Sequence, residues 1–400
     1  MLLFQHIFVT DGIRERTMKL NKIYSAILLS ALPLSAVQAA GLDRSGQSIS
    51  AFLQPGNYAE AGISVLDPDV KGSSKILKED ISDMADDYYF VNAAIKVQAN
   101  DKISLGLIYD QPYGADAKYA NNSLTFGHNG EGTSVEVKTQ NLTALIGYQP
   151  NENWNFYAGP VLQTVEADIK LRGYAYGGPS KLGTYGIKVD EEPAFGWIAG
   201  FAYSIPEIAL KTAVTYRSEV KHNADSHESL NPIIEGMGAL NLNYETSTQA
   251  VTPQSVNVDF QTGVAQNTLA FANLRWVHWD QFTVSPPFLK SNGQDLISYD
   301  KDQWSANVGV GHKFSDKWSA STTVGFDSGA GNPVTTLGPT EGYWSLGLGA
   351  QYSPAENYFI QAGVKHLWLG DATARTGTTN VGEFEDNNAW AYGMKIGYRF

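Results

Sequence analysis

The chain has 400 residues, 43% hydrophobic and 17% charged, with 12% aromatics, 39 glycines and no cysteine. Without cysteine, disulfides, thiolate metal sites and cysteine nucleophiles are excluded. With 28 Lys+Arg against 41 Asp+Glu, the formal charge of -13 leaves no basic excess to neutralise a phosphate backbone, so no nucleic-acid partner is expected.

At the start, Met18-Lys19-Leu20-Asn21-Lys22 is followed by an apolar run over residues 23–34 and then by Val37-Gln38-Ala39. A positive segment, a short apolar run and small residues form a secretory signal cut after Ala39 or Ala40. The first 17 residues read as an upstream extension, with Met18 the better initiator. The apolar run falls short of the roughly 20 residues that a bilayer-spanning helix needs, and nothing later is apolar enough. Any membrane crossing must therefore use strands.

The rest of the chain alternates with period two, the mark of strands with one apolar face. Trp304, Ala306, Val308, Val310 and Phe314 oppose Ser305, Asn307, Gly309, Gly311 and Lys313. The terminal segment repeats the pattern, with Trp390, Tyr392, Met394, Ile396, Tyr398 and Phe400 on one parity. Short turns are expected near residues 100–101, 150–152, 205–206, 264–266, 315–316 and 354–355. Long polar connections are expected over 71–86, 111–133, 173–186, 223–249, 285–296, 328–340 and 371–385. Six short and seven long connections predict fourteen strands with tight turns on one side and long loops on the other, the layout of an outer-membrane barrel. The fold class is thus all-β, a 14-stranded antiparallel transmembrane β-barrel, in the cell outer membrane. It must close, because lipid offers an open sheet edge no partners.

Parity also assigns lumen residues. Over 161–172 the apolar set Val165, Ala167, Ile169 and Leu171 is read as facing lipid, which points Glu166, Asp168, Lys170 and Arg172 inward. That phase differs from the one at Trp154 and Phe156, so a bulge is expected at Gly159-Pro160. On the next long strand Val214, Tyr216 and Val220 are read as outward, leaving Lys211, Arg217, Glu219 and Lys221 as lumen charges. They would either brace one another or meet a ligand head group.

The run Thr215-Tyr216-Arg217-Ser218-Glu219-Val220-Lys221, preceded by Phe195-Gly196-Trp197, resembles the FadL family of outer-membrane long-chain fatty acid transporters. So do Asp67-Pro68-Asp69-Val70, Tyr113-Gly114, Pro253-Gln254, Trp279-Asp280-Gln281-Phe282, Tyr343-Trp344 and the terminal Tyr398-Arg399-Phe400. The resemblance implies a monomeric barrel with an N-terminal plug, an internal pocket for hydrophobic small molecules, and sideways exit into the membrane at a kink in the third strand. It divides the chain into an extension and signal peptide (1–39), a short plug segment (40–52) and the barrel (53–400). Pro112, Tyr113 and Gly114 match the kink, where Pro112 would also interrupt the ladder. Lys301 matches a basic residue that meets the ligand carboxylate, and Arg172, with Lys170 beside it, lies close to a second. The N-terminal segment is shorter than the family's plug, and Gln47-Ser48-Ile49 stands where its Asn-Pro-Ala motif is expected, so the 223–249 connection is a candidate occluding loop.

The implied activity is passive uptake of long-chain fatty acids or similar molecules, with an aromatic hydrocarbon channel or a general porin as alternatives. Outer-membrane lipid and lipopolysaccharide are the surroundings. No nucleophile elbow or Gly-rich phosphate loop is present, so the chain is read as a non-enzyme without cofactor. His222 and His227, with Asp225 between them, match no metal-binding spacing.

Overall fold

The computed structural model describes residues 42–280, 282–291 and 295–400; the extension and signal peptide lie outside these. Fourteen antiparallel strands close into one barrel. They are β1 (Tyr58–Asp69), β2 (Tyr88–Gln98), β3 (Ile103–Asp110, resuming at Gly114–Lys118), β4 (Ser134–Tyr148), β5 (Trp154–Arg172), β6 (Thr184–Ile205) and β7 (Leu210–Arg217, resuming at Val220–Leu230). Then follow β8 (Leu242–Thr252, resuming at Ser255–Ala265), β9 (Thr268–Val277), β10 (Gln303–Lys313), β11 (Trp318–Asp327), β12 (Tyr343–Ala355), β13 (Tyr358–Leu369) and β14 (Asn388–Arg399). Closure runs the full length of β1, from Tyr58 opposite Arg399 to Asp69 opposite Asn388, so neither edge is left open to lipid.

On β10 to β14 the outward parity is the apolar one. Trp304, Val308, Val310, Trp318, Val324, Trp344, Leu348, Trp390, Met394 and Ile396 are exposed, while Ser305, Asn307, Ser321, Thr323 and Ser345 are buried in the lumen. This is the lipid-facing belt that the alternation predicts.

On β5 the expected assignment is reversed. No phase change occurs at Gly159-Pro160; the β4 register continues unbroken past it, from Ala158 opposite Ile146 to Val161 opposite Thr143. Odd positions stay inward throughout, so Val161, Gln163, Val165, Ile169 and Leu171 are buried while Asp168 is exposed. The irregularity sits instead against β6, between Val165 and Ala167. What changes along β5 is chemistry. Its long-loop half projects beyond the hydrocarbon, so water meets the outer face, and the apolar side chains turn to the lumen. β6 carries 22 residues, roughly 70 Å of extended chain, far more than the hydrocarbon layer needs even at a steep tilt.

The expected loop over 223–249 is mostly wall as well. Val220–Leu230 and Leu242–Thr252 pair from Val220 opposite Thr252 to Leu230 opposite Leu242, which leaves only 231–241 as connection. The break at Ser218-Glu219 shifts the phase of β7, so Lys211 and Arg217 point inward but Val220 does too. Glu219 and Lys221 are exposed and pair with each other at 3.0 Å. His222 is buried and His227 exposed, on opposite faces of one strand, which rules out a shared metal.

Candidate functional site

The segment from Leu42 to Asn57 runs inside the barrel and is anchored from several walls. Asp43 accepts from Arg275 Nε of β9 at 2.7 Å, with both side chains fully buried. The same guanidinium donates to Asn257 Oδ1 at 2.8 Å and to Gln47 Oε1 at 3.1 Å. Further down, Ser45 donates to Asp110 at 2.6 Å, Asn257 Nδ2 to the Gly46 carbonyl at 2.8 Å, Lys211 Nζ to the Leu53 carbonyl at 2.7 Å and Lys96 Nζ to the Gln54 carbonyl at 2.7 Å. Ile49 and Phe52 pack with Leu145, Tyr157, Val161 and Ile198 of the wall. The Phe52 ring fits because Gly106 and Gly147 face it: a Cβ at Gly106 would come within 2.5 Å of the ring, and one at Gly147 within 2.9 Å. A short segment thus lies across the lumen like a plug, its Gly46, Leu53 and Gln54 carbonyls held by side chains of the wall.

Strand β3 breaks at Gln111-Pro112-Tyr113. Below the break β3 pairs with β2 only over Ser104–Tyr109, opposite Ala93 to Gln98. Above it, Gly114–Lys118 is laddered to β4 and on its other side meets not β2 but the preceding connection, through Lys118 N–H to the Met84 carbonyl at 2.7 Å and Asp86 N–H to the Asp116 carbonyl at 3.2 Å. The upper part of β2 therefore lacks its ladder neighbour, leaving a window in the wall where the Val91 N–H reaches across to Gln111 Oε1 at 2.8 Å. Its upper rim is the bridge from Ala85 to Ala117. The plug supplies what the ladder lost. Arg44 N–H donates to the Pro112 carbonyl at 2.7 Å, and Gly114 N–H to the Leu42 carbonyl at 2.9 Å.

Tyr113 turns into the lumen. Its N–H meets Thr139 Oγ1 at 2.9 Å, its hydroxyl reaches the Pro253 carbonyl on β8 at 3.3 Å, and its ring stands edge-on to Trp279 at 5.6 Å. Above it lies an apolar cavity of about 50 Å³ formed by Leu42, Tyr113, Val165, Ile169, Trp279 and Phe282 with residues of β4, β6 and β8. Its polar side-chain atoms are the hydroxyls of Thr139, Thr248, Thr252 and Tyr113 and the Trp279 indole N–H, and among the described residues no charged side chain lines it. Trp279 is held by its indole N–H on Gln303 Oε1 at 2.6 Å, and Gln303 in turn donates to Asp327 at 2.6 Å. A second cavity, about 70 Å³, lies at the window between Leu66, Tyr88, Ala115, Ala117 and Val135, with Arg44 and Asp116 also on its lining. Leu42 and Ile297 line both, so one plug leucine helps partition the lumen cavity from the wall opening.

Residues 42–400 match the family described as Outer membrane protein transport protein (OMPP1/FadL/TodX). The chain belongs to this family. No curated protein matches the sequence. The fold is similar to the crystal structure of a Pseudomonas aeruginosa FadL homologue, with TM-score 0.71 at 15% identity over 91% of this chain and 98% of that one. It is also similar to the Pseudomonas putida toluene transporter TodX, with TM-score 0.63 at 12% identity over 91% and 96% of the two chains. The Ralstonia pickettii toluene transporter TbuX gives TM-score 0.62 at 12% identity over 93% and 99%. Membership and the closed barrel make this an outer-membrane channel protein rather than an enzyme.

Within this FadL-type barrel the sequence-derived residues divide. Pro112, Tyr113 and Gly114 sit at the strand break. Arg217 is buried in the lumen, and Lys211, half-buried there, donates to the plug backbone. Lys170 and Arg172 do not enter the lumen. They sit on the outer face with Glu131, at 3.4 and 2.9 Å, and Arg172 also donates to the Tyr185 carbonyl at 2.6 Å. Those hydrogen bonds and the Arg172 charge hold the Glu131 carboxyl below its ordinary range. Lys301 is exposed, its backbone N–H on the Ala330 carbonyl at 3.0 Å, and it lines neither cavity. Asp43 and Arg275 escaped sequence reasoning. The available signal was an arginine on the inward parity of a strand, between Asn273 and Val277. His278, Asp280 and Asp302 gather one ligand atom each within 4.8 Å, but Asp302 already accepts from Trp276 Nε1 at 2.8 Å and lies 2.9 Å from His278 Nδ1.

Proposed function

We propose that the channel passes small neutral hydrophobic molecules of the monoaromatic class, from the long-loop side through the apolar cavity to the β3 window and sideways into the membrane. The observation that carries this reading is the cavity lining, largely apolar, with a few neutral polar groups and no charged group among the described residues. A carboxylate held there would be a buried charge without a partner, which is expensive. Neutral cargo avoids that penalty, which favours the aromatic-hydrocarbon alternative over long-chain fatty acids. The solved structures named as toluene transporters, TodX and TbuX, support the same choice. At about 50 Å³ the cavity is a third of the roughly 150 Å³ that admits benzene elsewhere, so transfer requires Leu42 or Tyr113 to move. Pro112, Tyr113 and Gly114 then form the exit, and because each barrel carries the whole path, a monomer surrounded by outer-membrane lipid suffices.

The test is uptake of labelled toluene and labelled oleate by a Gram-negative host lacking its own hydrophobic channels, alongside entry of a small hydrophilic antibiotic. Toluene uptake without antibiotic entry is expected, abolished by Ala167→Trp, which fills the cavity. Oleate uptake without toluene uptake restores the fatty acid reading, and antibiotic entry without either makes the barrel a porin.

A further inference from the structure

The lumen on the short-turn side of the plug contains a larger chamber of about 180 Å³, distinct from the apolar cavity. Its wall mixes rings and aliphatic groups, among them Ile49, Phe90 and Phe271, with six charged side chains. Five of the six are engaged. Lys395 pairs with Glu60 at 3.2 Å, and Glu60 also accepts from the Tyr58 hydroxyl at 2.6 Å. Asp110 accepts from Ser45 at 2.6 Å, Asp259 from Asn273 at 2.8 Å, and Lys211 donates to Leu53 at 2.7 Å.

The sixth is Lys365 on β13. It is 1% exposed, opposite Gly347 on one side and Ala391 on the other, and its Nζ has no hydrogen-bond partner among the described residues. Other chamber residues also hold unused hydrogen-bonding atoms, Asn307 through Oδ1 and Nδ2, Thr323 through Oγ1 and Gln54 through Oε1. A buried polar group without a partner is expensive and rare in folded proteins, the more so where it is an ammonium. The lysine stem has four rotatable carbons, which lets the ammonium swing to the chamber it borders.

We propose that this chamber is a second binding site, specific for a small monocarboxylate with an apolar body, whose carboxylate pairs with Lys365. Asn307 and Thr323 supply further donors to its oxygens, and the aromatic and aliphatic wall takes the body. The site lies across the plug from the apolar cavity and does not depend on the cargo proposed for that cavity. Its occupancy satisfies the chamber's Lys365 ammonium, which has no partner among the described residues.

The experiment is calorimetric titration of the purified, detergent-solubilised protein with benzoate, acetate and toluene, in the wild type and in Lys365→Met and Lys365→Arg. Benzoate should bind more tightly than acetate, lose at least tenfold in affinity in Lys365→Met, and keep its affinity within about threefold in Lys365→Arg. Toluene binding, which reports the apolar cavity, should not change in either variant. Absence of benzoate binding to the wild type, or equal benzoate affinity in Lys365→Met, overturns the site. Met matches the length of the lysine stem and removes the unpaired charge, and heat-modifiable electrophoretic mobility reports whether each variant has formed its barrel. Should Lys365→Met fail to fold, anomalous diffraction from 4-iodobenzoate soaked into wild-type crystals decides the matter. Density beside Lys365 supports the site, and its absence there overturns it.

Discussion

Removing the Asp43 carboxylate attacks the seat of the plug directly. In Asp43→Ala the Arg275 guanidinium keeps Asn257, Ser255 and Gln47 but loses its hydrogen-bonded anion, in a place where both partners are fully buried. Breaking a buried pair from one side costs about 3–5 kcal/mol. The loss falls on the seated state, since an unseated plug lets water reach Arg275. At about 1.4 kcal/mol per decade, the unseated population should rise by roughly two to three and a half orders of magnitude. The Arg44 and Gly114 amides report this, because they form the backbone bonds between plug and strand break. Their hydrogen-exchange rates should increase by that factor while amides of β12 and β13 are unchanged. The double variant Asp43→Leu with Arg275→Met should return them most of the way, because an apolar replacement leaves no orphaned charge. Exchange in Asp43→Ala within threefold of the wild type would show that the pair does not hold the plug.

Three further outcomes follow from the same geometry. Gly106→Ala places a methyl group 2.5 Å from the Phe52 ring, an overpacking of about 1–3 kcal/mol, and should speed plug exchange and admit hydrophilic antibiotic; adding Phe52→Leu should restore the seal. Tyr113→Ala should raise single-channel ion conductance by removing the side chain that reaches from the strand break to Pro253 and Trp279, while Tyr113→Phe, which keeps the ring and loses the hydroxyl's contacts with Pro253 and Arg275, should stay near the wild type. Glu131 has a lowered carboxyl pKa in the folded protein, chiefly through its hydrogen bond from Arg172, so it contributes stability above its ordinary value of 4.5 that is lost as pH falls through the lower folded value. Because the carboxyl is half exposed the contribution is under about 1 kcal/mol. Acid-dependent exchange of the Thr133 and Arg172 amides should show it, and Glu131→Gln should flatten the profile.

Alternation of side-chain chemistry and the spacing of turn residues were enough to read the barrel, its fourteen strands and its lipid-facing belt on β10 to β14, because membrane strands must expose one apolar parity and cannot leave an edge open. The same alternation left the sign of β5 undetermined. Period two says which residues share a face, and only the height of the strand relative to the membrane says whether that face meets lipid or lumen, which is why Lys170 and Arg172 stand outside and Val165 and Ile169 inside. The break at Pro112 was legible from the chemistry of proline. That Leu42 and Arg44 would fill it was not, since the pairing joins segments some seventy residues apart whose meeting depends on closure of the whole barrel. Asp43 and Arg275 are further apart still, and Lys365 looks like any inward lysine until the neighbouring strands are in place and each other charge of its chamber has found a partner.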